Sequence, residues 1–187
     1  KKAIDAGFTK YTAVGGTVGL KNAVIAKLKR DNGLEYKPNE VVVGVGGKQC
    51  IFNMILATIN DGDEVVIPAP YWVSYADIVE IAGGVPKLVF AGIEQGFKMT
   101  AAQLEAAITP KTKMFMINSP SNPTGAVYTK EELAALGEVL LKHPNIIVAT
   151  DDMYEHINLN DVPFVNIVNA CPALKDRAVV LNGVSKA

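Results

Sequence analysis

The stretch Met114-Phe115-Met116-Ile117 is a short, wholly apolar run, and runs of this kind decide the fold class of this chain of 187 residues. A strand that is covered by helices on both faces shows this pattern, because neither set of alternating side chains meets water. The other runs predicted to be strands are Val41-Val42-Val43-Gly44-Val45, Glu64-Val65-Val66-Ile67, Val85-Pro86-Lys87-Leu88-Val89-Phe90, Ile146-Ile147-Val148-Ala149 and Ala178-Val179-Val180-Leu181.

Patterns typical of amphipathic helices lie between these runs. Capping boxes predict helix starts at Thr100, with Gln103, and at Thr129, with Glu132. Strands that alternate with helices predict an α/β fold, in which helices cover both faces of a mostly parallel sheet and make three layers. The apolar stripes at helical spacing are Leu20, Val24, Ile25 and Leu28, followed by Ile51, Phe52, Ile55, Leu56 and Ile59.

Composition and charge argue against several classes of protein. A formal net charge of -1, without runs of like charge, gives no reason to expect nucleic acid or an anionic membrane as a partner. The apolar stretches are shorter than the roughly 18–20 residues that a membrane-spanning helix needs, and the first residues do not resemble a signal peptide. Cys50 and Cys171 are too few for a disulfide framework and lack metal-ligand spacing, so we expect a reduced, cytoplasmic protein without a metal.

Residues that follow the apolar runs predict the position of a ligand site. In open sheets of this kind, ligands bind beyond the carboxyl ends of the strands. Glycines, amides, aromatic residues, acids and a lysine are therefore expected to converge at one edge of the sheet. They lie in the segments Gly46-Gly47-Lys48-Gln49, Pro70-Tyr71-Trp72, Asn118-Ser119-Pro120-Ser121-Asn122-Pro123-Thr124-Gly125, Asp151-Asp152-Met153-Tyr154 and Asn182-Gly183-Val184-Ser185-Lys186.

Each of these features has a chemical interpretation beside an ordinary structural one. The segment Gly46-Gly47-Lys48-Gln49 can bind an anion at a helix N-terminus or form a plain turn, and Gln49 excludes the dinucleotide fingerprint, which needs Gly there. Trp72 can stack on an aromatic ligand or belong to the core. Asp151 can pair with a protonated ring nitrogen or cap a helix. Lys186 can form a Schiff base with an aldehyde cofactor or be a solvated surface residue.

Taken in order along the chain, the segments resemble the successive motifs of class I aminotransferases that depend on pyridoxal 5'-phosphate (PLP). They most closely resemble the bacterial aspartate aminotransferase family, and the similarity covers essentially the whole chain. The resemblance implies the large domain of a fold type I PLP enzyme that transfers an amino group between an amino acid, by default aspartate or glutamate, and a 2-oxo acid. It also implies PLP as the cofactor, a homodimer and a place in cytoplasmic amino-acid biosynthesis.

The resemblance also implies a role for each matching residue. Lys186 is expected to hold PLP through a Schiff base and to move the proton at the substrate Cα, while Asp151 pairs with the pyridine nitrogen. Tyr154 and Asn122 are expected to hydrogen-bond the phenolic oxygen of the cofactor, and Trp72 to stack on its ring. The residues expected to bind the phosphate are Gly47, Lys48, Gln49 and, from the partner subunit, Tyr11.

The sequence differs from the family at Gly183, in the glycine-rich loop Gly15-Gly16-Thr17-Val18-Gly19-Leu20 and in length. Gly183 occupies a position where many relatives have a serine that contacts the phosphate. Members of the family are also considerably longer, so the resemblance implies that residues 1–187 are the core of the large domain without its end and without the small domain. We therefore expect an inactive or domain-swapped fragment, with a gap in the sheet beside residues 41–45 where the family has an antiparallel strand.

Two alternatives to an aminotransferase stay open at this point. The same core serves β-lyases and other fold type I PLP enzymes, which are distinguished by residues outside this stretch. A non-catalytic fragment that binds a ligand or a partner without turnover is the other alternative. The intact set Asp151, Tyr154 and Lys186 argues against the second one.

Overall fold

The computed structural model describes residues 1–159 and 161–186, and the chain divides into two compact units, Lys1–Val45 and Gly46–Ala187. The first unit holds α1 (Lys2–Asp5), α2 (Val18–Asn32) and a 3₁₀ helix at Pro38–Glu40. Helix α2 begins where Thr17 Oγ1 accepts a hydrogen bond from the Leu20 amide, at 3.4 Å. It ends at Gly33, whose φ of +65° is the left-handed conformation that glycine adopts at helix C-termini.

The strand predicted at residues 41–45 is wrong, because this segment of the first unit forms no strand. An apolar run becomes a strand only when a neighbouring strand pairs with its backbone groups. Here the Val43 amide donates to the Gly15 carbonyl, at 3.0 Å, in a loop contact. A gap in the sheet was predicted beside residues 41–45. Because residues 41–45 are not a strand, the sheet has no gap of that kind.

The second unit contains a parallel sheet of five strands in the order β2-β1-β3-β4-β5. The predicted fold class is confirmed, and the runs predicted for β2 and β5 match the observed strands residue for residue. The other strands end later than the predicted runs: β3 and β4 end on polar residues, which a search for apolar runs leaves out, and β1 continues through Pro68 and Ala69. The strands are β1 (Glu64–Ala69), β2 (Val85–Phe90), β3 (Thr112–Asn118), β4 (Ile147–Asp151) and β5 (Ala178–Leu181).

Both faces of this sheet are buried, as the wholly apolar strands predict. Val65 on β1 and Met114 on β3 pack with α3 and α4 in one hydrophobic core. Their neighbours along the strands, Val66 and Phe115, point to the opposite face because side chains alternate along a strand, and these too are fully buried. The sheet is thus the middle of three layers.

The first predicted stripe lies on α2 of the first unit, and helix α3 of the second unit carries the second stripe except Ile59, which follows it. Both capping boxes are present: Thr100 accepts from the Gln103 amide and Thr129 from the Glu132 amide, each at 3.2 Å. The helices are α3 (Gly47–Thr58), α4 (Ser74–Ile81), α5 (Ala101–Ala107), α6 (Lys130–Leu141) and α7 (Ile167–Ala170), with 3₁₀ helices at Ile93–Gln95 and Pro172–Arg177. Across the described residues, no helix combines the length and the apolar character that crossing a bilayer requires.

Candidate active site

The carboxyl ends of the strands surround a cavity of about 260 Å³ within the second unit. The parallel arrangement explains this convergence, since every strand ends at the same edge of the sheet. The volume is close to the lower end of the roughly 300–1,000 Å³ typical of small-molecule sites. The cavity is lined by Gly47, Lys48, Ile51, Trp72, Tyr75, Asn118, Asn122, Asp151, Met153, Tyr154, Ser185 and Lys186.

Asp151 is the last residue of β4, and its carboxyl group is buried at the wall of this cavity. The Tyr75 hydroxyl donates to Oδ2 at 2.6 Å, and the Met153 amide donates to Oδ1 at 3.1 Å. Burial raises the pKa of Asp151, and these two donors oppose the rise because they stabilise the carboxylate. A buried carboxylate that faces a cavity is suited to a cationic N–H donor.

Tyr75 is a site residue whose role was not predicted from the sequence. It lies on α4 and is buried, and its pKa is raised by burial and then by the negative charge of Asp151. The sequence shows Tyr75 only as an aromatic residue near Trp72, because its partner lies 76 residues away along the chain. The signal that could have found it is a lone polar group, the hydroxyl, on the apolar face of a helix that packs on the sheet.

Two amides join the loops that follow β3 and β4. The Asn118 side chain donates through Nδ2 to the Asp151 carbonyl and accepts through Oδ1 from the Asn122 amide, both at 2.7 Å. Asn122 Nδ2 in turn donates to the Tyr154 hydroxyl at 3.3 Å. Asn122 and Tyr154, which were predicted to share a cofactor oxygen, are therefore side by side at the cavity. Asn118 had no predicted role of its own.

The start of α3 and the indole of Trp72 form another part of the wall. Lys48 Nζ lies 5.1 Å from the centroid of the Trp72 ring, which is a cation–π geometry. The ring of Tyr75 meets that of Trp72 edge to face, with centroids 5.5 Å apart. Of the predicted phosphate residues, Gly47 and Lys48 line the cavity, whereas Gln49 is exposed and is not among the lining residues.

The Met153 side chain leaves no room for a side chain at position 183, where this protein has glycine. A Cβ atom at Gly183 would lie 2.9 Å from Met153 Cε, and one at Gly47 would lie 2.7 Å from the same atom. The Met153 side chain thus fills the space between these two glycines. A serine at position 183 would need this methionine to move.

Lys186 and Ser185 follow β5 and line the same cavity, so the predicted lysine lies at one site with Asp151 and Tyr154. Ser185 Oγ is 3.7 Å from Met153 Sδ. Tyr11 is in the first unit, where its side chain is fully exposed.

Behind the cavity wall, Asp152 and Glu155 are also buried. Burial raises the pKa of Asp152 to about 8, against the effect of its two donors. These donors are Thr150 Oγ1, at 2.7 Å, and the side-chain amide of Asn166, the N-cap of α7. Glu155 accepts a hydrogen bond from Asn182 Nδ2 at 3.0 Å. No role was predicted from the sequence for Asp152, Glu155 or Asn166.

Comparisons with known proteins agree with this architecture. The family model "Aminotransferase class I and II" matches residues 1–187. An aspartate/prephenate aminotransferase of Nitrosomonas europaea is 65% identical over 185 residues, which are 99% of this chain and 47% of that protein. An aspartate/prephenate aminotransferase of Cereibacter sphaeroides is 59% identical over 187 residues, 100% of this chain and 47% of that protein.

A solved structure is similar over the same extent. The crystal structure of the aspartate aminotransferase from Rhizobium meliloti superposes with a TM-score of 0.96 at 49% identity, covering 100% of this chain and 46% of that one. The chain thus spans about half the length of the curated relatives it matches. The match of the family model over the full chain shows that this protein belongs to the class I and II aminotransferase family.

Proposed function

We propose that this chain provides the cofactor-binding core of a PLP-dependent aminotransferase, and that Lys186 is the residue that bonds to the cofactor. The observation that carries the proposal is the cavity at the sheet edge, which Lys186, buried Asp151 and Tyr154 all line. The relatives named aspartate/prephenate aminotransferase support transamination. No observation favours a β-lyase.

The residues of the cavity fit PLP in charge and in shape. Asp151 is a buried acid, and its two hydrogen-bond donors, a hydroxyl and a backbone amide, are neutral. A protonated pyridine nitrogen would supply the positive charge that balances the carboxylate. Trp72 is half-buried at the wall and can lie against a flat ring. Gly47 and Lys48 begin a helix of 12 residues, whose first amide groups favour an anion such as a phosphate.

When bound, PLP supplies a conjugated ring that takes up the electron pair left when the substrate Cα loses its proton. The protein's part is to hold this ring and to move that proton. Asp151 keeps the ring nitrogen protonated, and Asn122 and Tyr154 orient the ring through its phenolic oxygen. With PLP bound, the amine of Lys186 would accept the proton from the substrate Cα and would return it to C4′ of the cofactor.

We extend this proposal to the domains, the substrates and the oligomeric state of the whole enzyme. Residues 1–187 are the core of the large domain, and further chain completes that domain and adds a small one. The substrates are aspartate or glutamate and a 2-oxo acid. The enzyme is a cytoplasmic homodimer of amino-acid biosynthesis, in which Tyr11 reaches the phosphate held by the other subunit. The names of the relatives support the class of substrates, and their greater length supports the further chain.

The test is whether PLP becomes attached to Lys186 and to no other lysine. The 187-residue chain is mixed with PLP, its visible absorption is recorded, and the mixture is reduced with borohydride and mapped by peptide mass. We expect an absorption band at a longer wavelength than that of free PLP. After reduction, we expect a pyridoxyl group on Lys186. The variant K186A should show neither, and K142A, at an exposed lysine just after α6, should behave like the unaltered chain. Labels spread evenly over surface lysines would contradict the proposal.

A further inference from the structure

We propose that Asn118 is a positioning residue of this site, whose carboxamide fixes Asp151 and Asn122 relative to one another. The inference rests on the proposed function, in which both of these residues contact the cofactor. Asn118 itself is required for a geometric reason, because it is the residue through which the loop after β3 and the end of β4 are joined.

Asn118 lies where the backbone ladder between β3 and β4 comes to an end. It is the last residue of β3, and its register partner is Asp151, the last residue of β4. The Asn118 side chain extends the pairing by one more bond, since Nδ2 donates to the Asp151 carbonyl at 2.7 Å. The point at which Asp151 leaves the sheet is thereby tied to the neighbouring strand.

The other end of the same carboxamide holds the Asn122 loop. Asn118 Oδ1 accepts from the Asn122 amide at 2.7 Å, and Asn122 Nδ2 donates to the Tyr154 hydroxyl at 3.3 Å. Tyr154 follows Asp151 by three positions, so these contacts form a closed ring of residues at the cavity. Motion of any member relative to the others would stretch a hydrogen bond.

The ring needs a group that donates at one end and accepts at the other. A carboxamide does both, a carboxylate only accepts, and a leucine of similar size does neither. N118D therefore removes the bond to the Asp151 carbonyl and keeps the one from Asn122, whereas N118L removes both. We call the two hydrogen bonds of the Asn118 side chain, to the Asp151 carbonyl and from the Asn122 amide, the bridge. The difference between the two variants allows each of these bonds to be measured separately.

Ser119 offers a matched control at the next position. Ser119 is buried, and its Oγ accepts from the Tyr128 amide at 3.1 Å, but it does not line the cavity. S119A thus removes one buried hydrogen bond from the same loop without touching the ring. A general loss of stability in this loop should affect S119A and N118L alike.

The first measurement is amide hydrogen exchange at Asn122 in the 187-residue chain without PLP. We expect N118L to speed exchange of this amide by about tenfold or more, since its acceptor is lost. N118D should keep the protection, because a carboxylate oxygen still accepts, and S119A should leave it unchanged. Equal protection of the Asn122 amide in N118L and the unaltered chain would overturn the bridge.

The second measurement is the dissociation constant of PLP, from absorption titration at a temperature where every variant is folded. Because small displacements of binding groups carry large penalties, N118L and N118D should weaken PLP binding by about tenfold or more. S119A should change it by less than about twofold. The proposal is overturned if N118L binds PLP as the unaltered chain does, or if S119A weakens binding as much as N118L.

The two measurements separate this inference from the proposed function. If the unaltered chain does not bind PLP, the proposed function fails for this chain. The bridge is then judged on exchange at Asn122 alone, where the difference between N118L and N118D supports it and equal exchange overturns it.

Discussion

At the scale of single residues, the site depends on hydrogen-bond donors that hold buried acids. The Tyr75 hydroxyl is one of two donors to the Asp151 carboxyl group, at 2.6 Å. A hydrogen bond to a charged group contributes about 1.5–3 kcal/mol, roughly twice as much as one between neutral groups. Tyr75 therefore stabilises the ionised form of Asp151, which is the form that the proposed ring nitrogen needs.

The variant Y75F removes this hydroxyl and keeps the aromatic ring. With one donor fewer, the pKa of Asp151 should rise further and its carboxylate should pair less well with a cation. We expect PLP binding to weaken by about tenfold, the equivalent of ~1.4 kcal/mol, measured by absorption titration. Y71F makes the same chemical change three residues before α4 and serves as the control. Equal affinities of Y75F and Y71F for PLP would contradict the role assigned to Tyr75.

Asp152 makes the stability of the protein depend on pH in a defined direction. Its pKa is raised from 3.8 to about 8 by burial, so between these values the folded protein holds a proton that the unfolded chain releases. The contribution of Asp152 to stability should therefore fall as pH rises from about 4 to about 8. D152N, which is neutral at every pH, should remove part of this fall and be the more stable protein at the upper end, by about 1 kcal/mol or more.

Thermal unfolding of both proteins across this pH range tests the expectation. Near pH 4 the two should differ little, because Asp152 is then mostly protonated when folded and about half protonated when unfolded. D176N, at an exposed aspartate of the last 3₁₀ helix, should follow the unaltered chain throughout. A D152N protein that loses stability with pH as steeply as the unaltered chain would show that Asp152 is ionised in the fold.

At the scale of elements, one arginine holds the end of α6. Arg177 Nη1 donates to the carbonyl oxygens of His143, at 3.0 Å, and Ile146, at 2.5 Å, and Nη2 donates to that of Leu140, at 2.6 Å. Leu140 lies in the last turn of α6, where a cation interacts favourably with the helix dipole, and His143 and Ile146 lie in the turn that follows. The turn between α6 and β4 is thereby fixed.

R177K should lower the free energy of unfolding by about 1–3 kcal/mol, because an ammonium group cannot reach three carbonyls from the positions of a planar guanidinium. Denaturant unfolding measures the loss. R30K, at an exposed arginine on α2, is the matched control and should stay within about 0.5 kcal/mol of the unaltered chain. An R177K protein as stable as R30K would mean that these carbonyls are satisfied without Arg177.

The elements also show how far sequence patterns determine the fold. The run Val85-Pro86-Lys87-Leu88-Val89-Phe90 and the box Thr129 with Glu132 were predicted correctly, because a strand pattern or a cap depends on residues close in sequence. The run Val41-Val42-Val43-Gly44-Val45 has the same local pattern and is not a strand, because pairing depends on a neighbour that the pattern does not contain.

At the scale of the whole molecule, the location of the site could be predicted from the sequence, whereas the contacts within it could not. The rule that ligands bind at the carboxyl ends of parallel strands brought Gly47, Trp72, Asn122, Asp151 and Lys186 to one cavity in the prediction, and the structure places all of them there. The contacts between them were not predictable, since each depends on side-chain geometry across tens of residues. The Tyr75 bond to Asp151 and the bridge through Asn118 are of this kind.

The single tryptophan gives the molecule an intrinsic optical reporter. Trp72 is the only tryptophan in the chain, and its ring lines the cavity and contacts the Lys48 ammonium and the Tyr75 ring. Indole emission from the entire protein therefore originates at one point of the site. Its intensity and colour respond to charge and stacking at that point, so the filling of the cleft can be followed in real time without attaching a dye.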